Sequence, residues 1–265
     1  MTDRTSAVGN AAEPALWVGL VSLIPELLAP LAEYGVSRRA FDSGALAWQM
    51  FNPRAFSERA GGKVDDKPYG GGPGMVLQAQ PLLRAIEAAV AAAPRPPRVL
   101  LTSAQGRPLD QARVRQWVAA GSLVVVCPRY EGVDERVLDV VDEEFSIGDF
   151  VLTGGEPAAF ALLDAASRWL PGTLGNDASA PADSFVDGLL EGPQWTRPEV
   201  LPGFATVPGA LLSGDHARIE RHRRKAALRR TLSRRPELLR RLQLDARDRD
   251  LLREIFAAGV ESEDD

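Results

Sequence analysis

Three glycine-rich stretches and one basic run hold the side chains of this chain that could do chemistry. Arg129, Tyr130, Glu131 and Gly132 follow directly on an apolar run at 123–127, and Ser146-Ile-Gly-Asp-Phe-Val-Leu-Thr-Gly-Gly-Glu156 comes soon after. Polar side chains crowded between glycines suggest backbone amides aimed at a ligand, because glycine turns where other residues are strained. The plainer reading is a pair of structural turns, and short motifs do not decide between the two. A third loop, Pro68-Tyr-Gly-Gly-Gly-Pro-Gly74-Met75, has neither GK[ST] nor GxGxxG, which argues against a nucleotide-hydrolysing loop. Close approach to a ligand or another backbone explains it better than flexibility alone. Cys127 is the single cysteine and sits in an apolar run, so it reads as a small core residue. His216 and His222 lie elsewhere, and without CxxC or a His–Cys cluster no metal site is expected.

The elements that must position these loops are legible from periodicity. Apolar runs at 16–23, 46–51, 98–102 and 123–127 predict strands. Helices are expected from Pro25 to Gly35, over 38–42, 80–93, 110–120 (capped by Asp110, closed by Gly121) and 156–170. Strands alternating with helices give an α/β fold, a parallel sheet with helices on both faces. Pro128 stops the strand at 123–127, so Arg129, Tyr130 and Glu131 fall at a carboxyl end, where open α/β sheets bind ligands. Ser103, Gln105 and Gly106 read as another turn directly after a strand.

The domains expected are a disordered tail at 1–15, an α/β domain at 16–172, a flexible linker at 173–193 and a small helical domain at 194–265. The linker is rich in Gly, Ala, Asp and Pro. From His216 onward the chain is rich in Ala, Leu and Arg, with a break at Arg235-Pro236.

A net charge of −5 argues against a generally basic nucleic-acid binder, but it hides an asymmetry. Between Arg218 and Arg241 stand eleven Lys or Arg and only two acids, which suggests local contact with a polyanion. A solvated charged face is the alternative. No apolar run is long enough to span a membrane and the first residues have no signal-peptide pattern, so a cytoplasmic protein is expected.

Five runs occur together in one order: Pro68-Tyr-Gly-Gly-Gly-Pro-Gly-Met75, Arg129-Tyr-Glu-Gly-Val-Asp-Glu-Arg136, Ser146 to Glu156 as quoted above, Thr196-Arg-Pro198, and Leu212-Ser-Gly-Asp-His216. In these the chain resembles the bacterial tRNA (guanine-N1)-methyltransferases, over roughly residues 17–242. The resemblance implies transfer of a methyl group from S-adenosylmethionine to the guanosine immediately 3′ of the anticodon in tRNA. It also implies a deep trefoil knot in the α/β domain, an obligate homodimer and a dependence on Mg²⁺, none of which spacing alone reveals. The cofactor residues implied are Ser103, Gln105, Gly106, Pro128, Tyr130, Glu131, Gly132, Ile147, Gly148, Asp149, Phe150, Val151, Leu152, Gly154 and Gly155. Asp183 matches the general base and Arg168 the cation that offsets charge on guanine O6. Arg218, Arg221, Arg223, Arg224 and Lys225 would grip tRNA phosphates.

Read without the resemblance, Asp183 is a linker aspartate at a turn, and Arg168 is a helix end favoured by the macrodipole. Glu131 either holds the cofactor or target base, or is a structural partner of Arg129 or Arg136. Two positions depart from the family pattern: Ala104 replaces a proline, and Pro128 replaces a glycine. Proline removes an amide donor but leaves the carbonyl free to bond. A nicotinamide-dependent oxidoreductase would need a GxGxxG after the first strand, and residues 20–26 have none. A non-catalytic RNA-binding protein would not need Asp183, Arg168 and three glycine loops together.

Overall fold

The computed structural model describes residues 13–176, 180 and 183–259. The chain divides into two compact units, Met1–Asp177 and Ala178–Asp265. Most of the expected tail at 1–15 lies outside the described residues, as do positions 177–179, 181 and 182 of the expected linker.

In the first unit the strands are Leu16–Val21 (β1), Leu46–Phe51 (β2), Asp65–Asp66 (β3), Val76–Leu77 (β4), Arg98–Pro108 (β5), Ser122–Val126 (β6) and Glu143–Ser146 (β7). Five form one sheet in the order β2-β1-β6-β5-β7, and every neighbouring pair is parallel. The short β3 and β4 pair antiparallel by themselves. All residues of β1 and β6 are buried. Such continuous apolar runs suit parallel strands covered on both faces.

The helices are Pro30–Glu33 (α1), Ser37–Asp42 (α2), Ala79–Ala92 (α3), Gln111–Ala120 (α4) and Glu156–Ser167 (α5). Alternation along β1 assigns the two faces. Leu16, Val18 and Leu20 pack in one core with Trp117 of α4 and Leu162 and Leu163 of α5. Trp17 and Val21 join the other with Leu82, Ile86 and Ala89 of α3. Helices therefore cover both faces, as the alternating pattern predicts.

Three local readings need correction. The helix expected from Pro25 to Gly35 is a 3-10 helix, Pro25–Leu28, followed by the separate α1, with Pro30 in the first turn of α1 where it has no amide to donate. Residues 103–106 are not a turn beyond a strand end. They lie within β5, as an irregular segment where the register against β7 breaks between Thr102 and Arg107. Phe145 pairs with Thr102 before the break and with Arg107 after it. Gly106 makes this possible, because a Cβ there would overlap the Phe145 backbone. The helix expected over 156–170 is α-helical only to Ser167. Trp169 and Leu170 then donate to the carbonyls of Ala166 and Ser167 in a tighter turn.

The second unit has its own core of Leu189, Leu228, Leu251 and Ile255. Its long helix, His216–Arg234, is capped by Asp215, whose carboxylate accepts from the Ala217 and Arg218 amides. Pro236 starts a separate short helix, Pro236–Leu239, and Ala246–Ala258 is the last. Leu189 lies in the stretch expected to be a linker, yet it belongs to this core. No helix of the described residues is long and apolar enough to cross a membrane.

Candidate active site

The irregular middle of β5 and the segments at the carboxyl ends of β6 and β7 enclose a cleft of about 260 Å³. Its floor is apolar, from Leu101, Leu138 and Phe145, and residues of the glycine-rich loops make up most of the rest of its lining. Thirteen of the expected cofactor residues line it: Ser103, Gln105, Pro128, Tyr130, Glu131, Gly132, Ile147, Gly148, Phe150, Val151, Leu152, Gly154 and Gly155. Gly106 and Asp149 do not. Gly106 serves the β5–β7 contact behind the cleft. Ala104 and Arg129, which lie in the loops read from the sequence, also line it, as do Thr102, Leu138 and Glu144, which were missed in the sequence. Leu138 belongs to a 3-10 helix, Glu135–Val140, whose only sequence signal is Asp134 as its cap.

The loops after β6 and β7 are stitched to each other. The Gly155 amide donates to the Pro128 carbonyl at 2.8 Å, and Arg129 bridges Gly154. Proline at 128 therefore loses nothing in this joint, which uses its carbonyl. Tyr130 takes φ 62°, a left-handed conformation uncommon outside glycine and asparagine, and strain of this kind gathers at functional sites.

The glycine-rich loop after β3 closes on the same place. The Glu131 amide donates to the Met75 carbonyl at 2.9 Å. Gly74, at φ 78°, leaves the space that the Glu131 side chain occupies. Close approach accounts for Gly74, whereas a Cβ at Gly70, Gly71 or Gly72 would overlap nothing, and these three serve through their positive φ. Neither cation suggested as a structural partner of Glu131 plays that part. Arg129 pairs with Glu156 at 3.0 Å, and Arg136 makes a two-pronged pair with Asp134, at 2.7 Å through both nitrogens.

Cys127 is buried beneath the cleft. Burial pushes its thiol well above the ordinary range, the Glu156 carboxylate adds to the shift, and Arg129 opposes it. A thiol kept protonated is a core group rather than a nucleophile.

Arg168 is half-buried and caps the C-terminus of α5 in the first unit. Asp183 belongs to the second unit and opens a tight turn. Its carbonyl accepts from Val186, and Phe185, at φ 74°, donates to the Leu189 carbonyl at 2.7 Å. Arg235 lies over the Phe185 ring, 5.9 Å from its centre.

The five expected phosphate contacts separate into two kinds. Arg224 bonds both oxygens of the buried Asp248 at 2.8 Å and also pairs with Asp187. Lys225 lies 3.4 Å from Glu254, which also pairs with Arg221. These three cations support the fold of the helical unit. Arg218 and Arg223 are exposed and make no ion pair among the described residues. Among the described residues no group of three or more His, Cys, Asp or Glu could hold a metal ion.

Comparison with known proteins adds an independent line. The profile of the family described as tRNA (Guanine-1)-methyltransferase TrmD matches residues 16–241. The tRNA (guanine-N(1)-)-methyltransferase of Escherichia coli (strain K12 / DH10B) is 51% identical to this chain over 240 residues, covering 90% of it and 94% of the relative. The protein of that name from Shigella boydii serotype 18 (strain CDC 3083-94 / BS512) matches with the same identity and coverage.

Proposed function

Because the chain belongs to the tRNA (guanine-1)-methyltransferase family, we propose that it transfers a methyl group from S-adenosylmethionine to N1 of the guanosine immediately 3′ of the tRNA anticodon. The observation that carries this reading is the cleft formed by the irregular segment of β5 and the loops after β6 and β7. Its residues fit such a donor: an apolar floor suits an adenine ring, and glycine-rich walls present backbone groups to ribose and amino-acid atoms. Ser103, Gln105, Tyr130, Glu131 and the stretch from Ile147 to Leu152 would hold it. When bound, the donor supplies an electrophilic methyl carbon.

The chain's own task is to free the nucleophile. Guanine N1 carries its proton at neutral pH, so its lone pair becomes available only as that proton leaves. Asp183 accepts the proton, and the Arg168 guanidinium offsets the negative charge that builds on O6. Glu131, wedged between Met75 and the cleft, positions the donor or the target base. Arg218 and Arg223, exposed on the long helix and without an ion pair among the described residues, grip tRNA phosphates. The same reading makes the crossing of the loops after β6 and β7 part of a trefoil knot, the enzyme a homodimer, and the cytoplasm its place of work. Mg²⁺ would act at the donor–RNA centre.

The test is incubation with methyl-labelled S-adenosylmethionine and an unmodified tRNA transcript, followed by nucleoside analysis. Label in 1-methylguanosine at the position after the anticodon supports the proposal. Label in another nucleoside, or none, overturns it.

A further inference from the structure

We infer that Glu156 is a positioning residue for donor binding: with Ser22 and Arg129 it forms a buried brace that holds the segments around the cleft in register. The inference rests on the reading of that cleft as the donor site.

Glu156 opens α5, and its side chain is 0% exposed. One carboxylate oxygen accepts from the Ser22 hydroxyl at 2.6 Å, and the other lies 3.0 Å from an Arg129 terminal nitrogen. Ser22 is the residue after β1, and its hydroxyl also accepts from the Ile24 amide at 3.0 Å. The other terminal nitrogen of Arg129 donates to the Thr153 carbonyl at 3.4 Å. One carboxylate therefore ties together the exit of β1, the loop after β6 and the loop after β7. Gly154 is part of the device, because a Cβ there would collide with the Arg129 side chain.

The physical argument is one of cost. A buried ion pair returns little net stability over apolar residues of the same size, since both ions lose their water. An acidic residue in the first turn of a helix is favoured by the macrodipole, but that effect needs neither complete burial nor an arginine from another loop. What the pair supplies and an apolar contact would not is direction. It fixes the path of Arg129, and with it the strained Tyr130 and the neighbouring Glu131 that line the cleft. Neither Glu156 nor Ser22 lines the cleft, so any effect on donor binding runs through the brace.

The experiment titrates S-adenosylhomocysteine into wild-type protein, Glu156→Gln and Ser22→Ala at a temperature where each is folded, and compares steady-state kinetics. Donor affinity should fall about tenfold in Glu156→Gln and by a smaller factor in Ser22→Ala. Turnover at saturating donor should stay within about threefold of wild type, because the reacting groups are untouched. Wild-type affinity in the folded variants, or lost turnover with unchanged affinity, overturns the inference. If Glu156→Gln does not fold, Ser22→Ala decides by the same titration, since it leaves the charge pair in place. Wild-type protein that binds neither S-adenosylhomocysteine nor S-adenosylmethionine would overturn the reading of the cleft itself.

Discussion

A methyl group on Gly155 would overlap the Thr102 hydroxyl and crowd the Cα of Cys127, so the loop after β7 can approach the strand ends only with glycine there. Side chains near the cleft are set by contacts of this scale. Glu131 fits because Gly74 leaves room for it, and Arg129 crosses Gly154 for the same reason. At Asp183 the prediction concerns the proposed general base. Asp183→Asn keeps the size of the side chain and removes its basic carboxylate, so donor binding should persist while turnover falls about 10²–10⁴-fold, the usual contribution of general acid–base catalysis. Single-turnover kinetics with enzyme in excess over tRNA would check this, and near-normal turnover would remove Asp183 as the base.

At the scale of elements, the long helix His216–Arg234 has two uses for its cations. Arg224 is locked to Asp248, and hydrogen bonds from that guanidinium hold the Asp248 carboxyl below its usual range. A carboxyl with a depressed folded pKa contributes stability above its unfolded value of ~3.9, and that contribution is lost as pH falls through the folded value. The helical unit should therefore hold steady from neutrality to about pH 5 and weaken below ~4. Asp248→Asn should remove the acid sensitivity and cost about 2 kcal/mol. That is less than the ~3–5 of a fully buried pair, because Arg224 keeps 28% of its side chain exposed. Urea unfolding followed by circular dichroism between pH 7 and 3 would measure both. The charge run was plain in the sequence, but which cations are structural was not. Asp187, Asp248 and Glu254 lie well away from them in sequence. Elements whose signals are local were legible: β2 has the expected bounds, and Asp110 and Gly121 cap α4 as read. The extension of β5 to Pro108 and the existence of β7 were not. Both depend on pairing between segments about forty residues apart, and Glu143-Glu-Phe-Ser146 has no apolar run to announce a strand. The loops at 129–132 and 146–156 stood out by residue type, and the family resemblance supplied the individual cleft residues. The apolar floor of the cleft was missed because Leu101, Leu138 and Phe145 look like ordinary core residues.

For the whole molecule, the parallel sheet places the irregular middle of β5 between the carboxyl ends of its neighbours β6 and β7, and these three segments form the cleft. The sheet unit carries that cleft and Arg168, and the helical unit carries Asp183 and the exposed arginines. In the proposed reaction the donor would belong to the first unit, and proton removal and RNA contact to residues of the second. That makes the position of the donor the point on which everything else depends. A crystal structure of the protein with S-adenosylhomocysteine bound would measure it directly. The ligand should lie against residues 103–105, 128–132 and 147–155, with its ring over Leu138. Density for the ligand anywhere else on the molecule would contradict it.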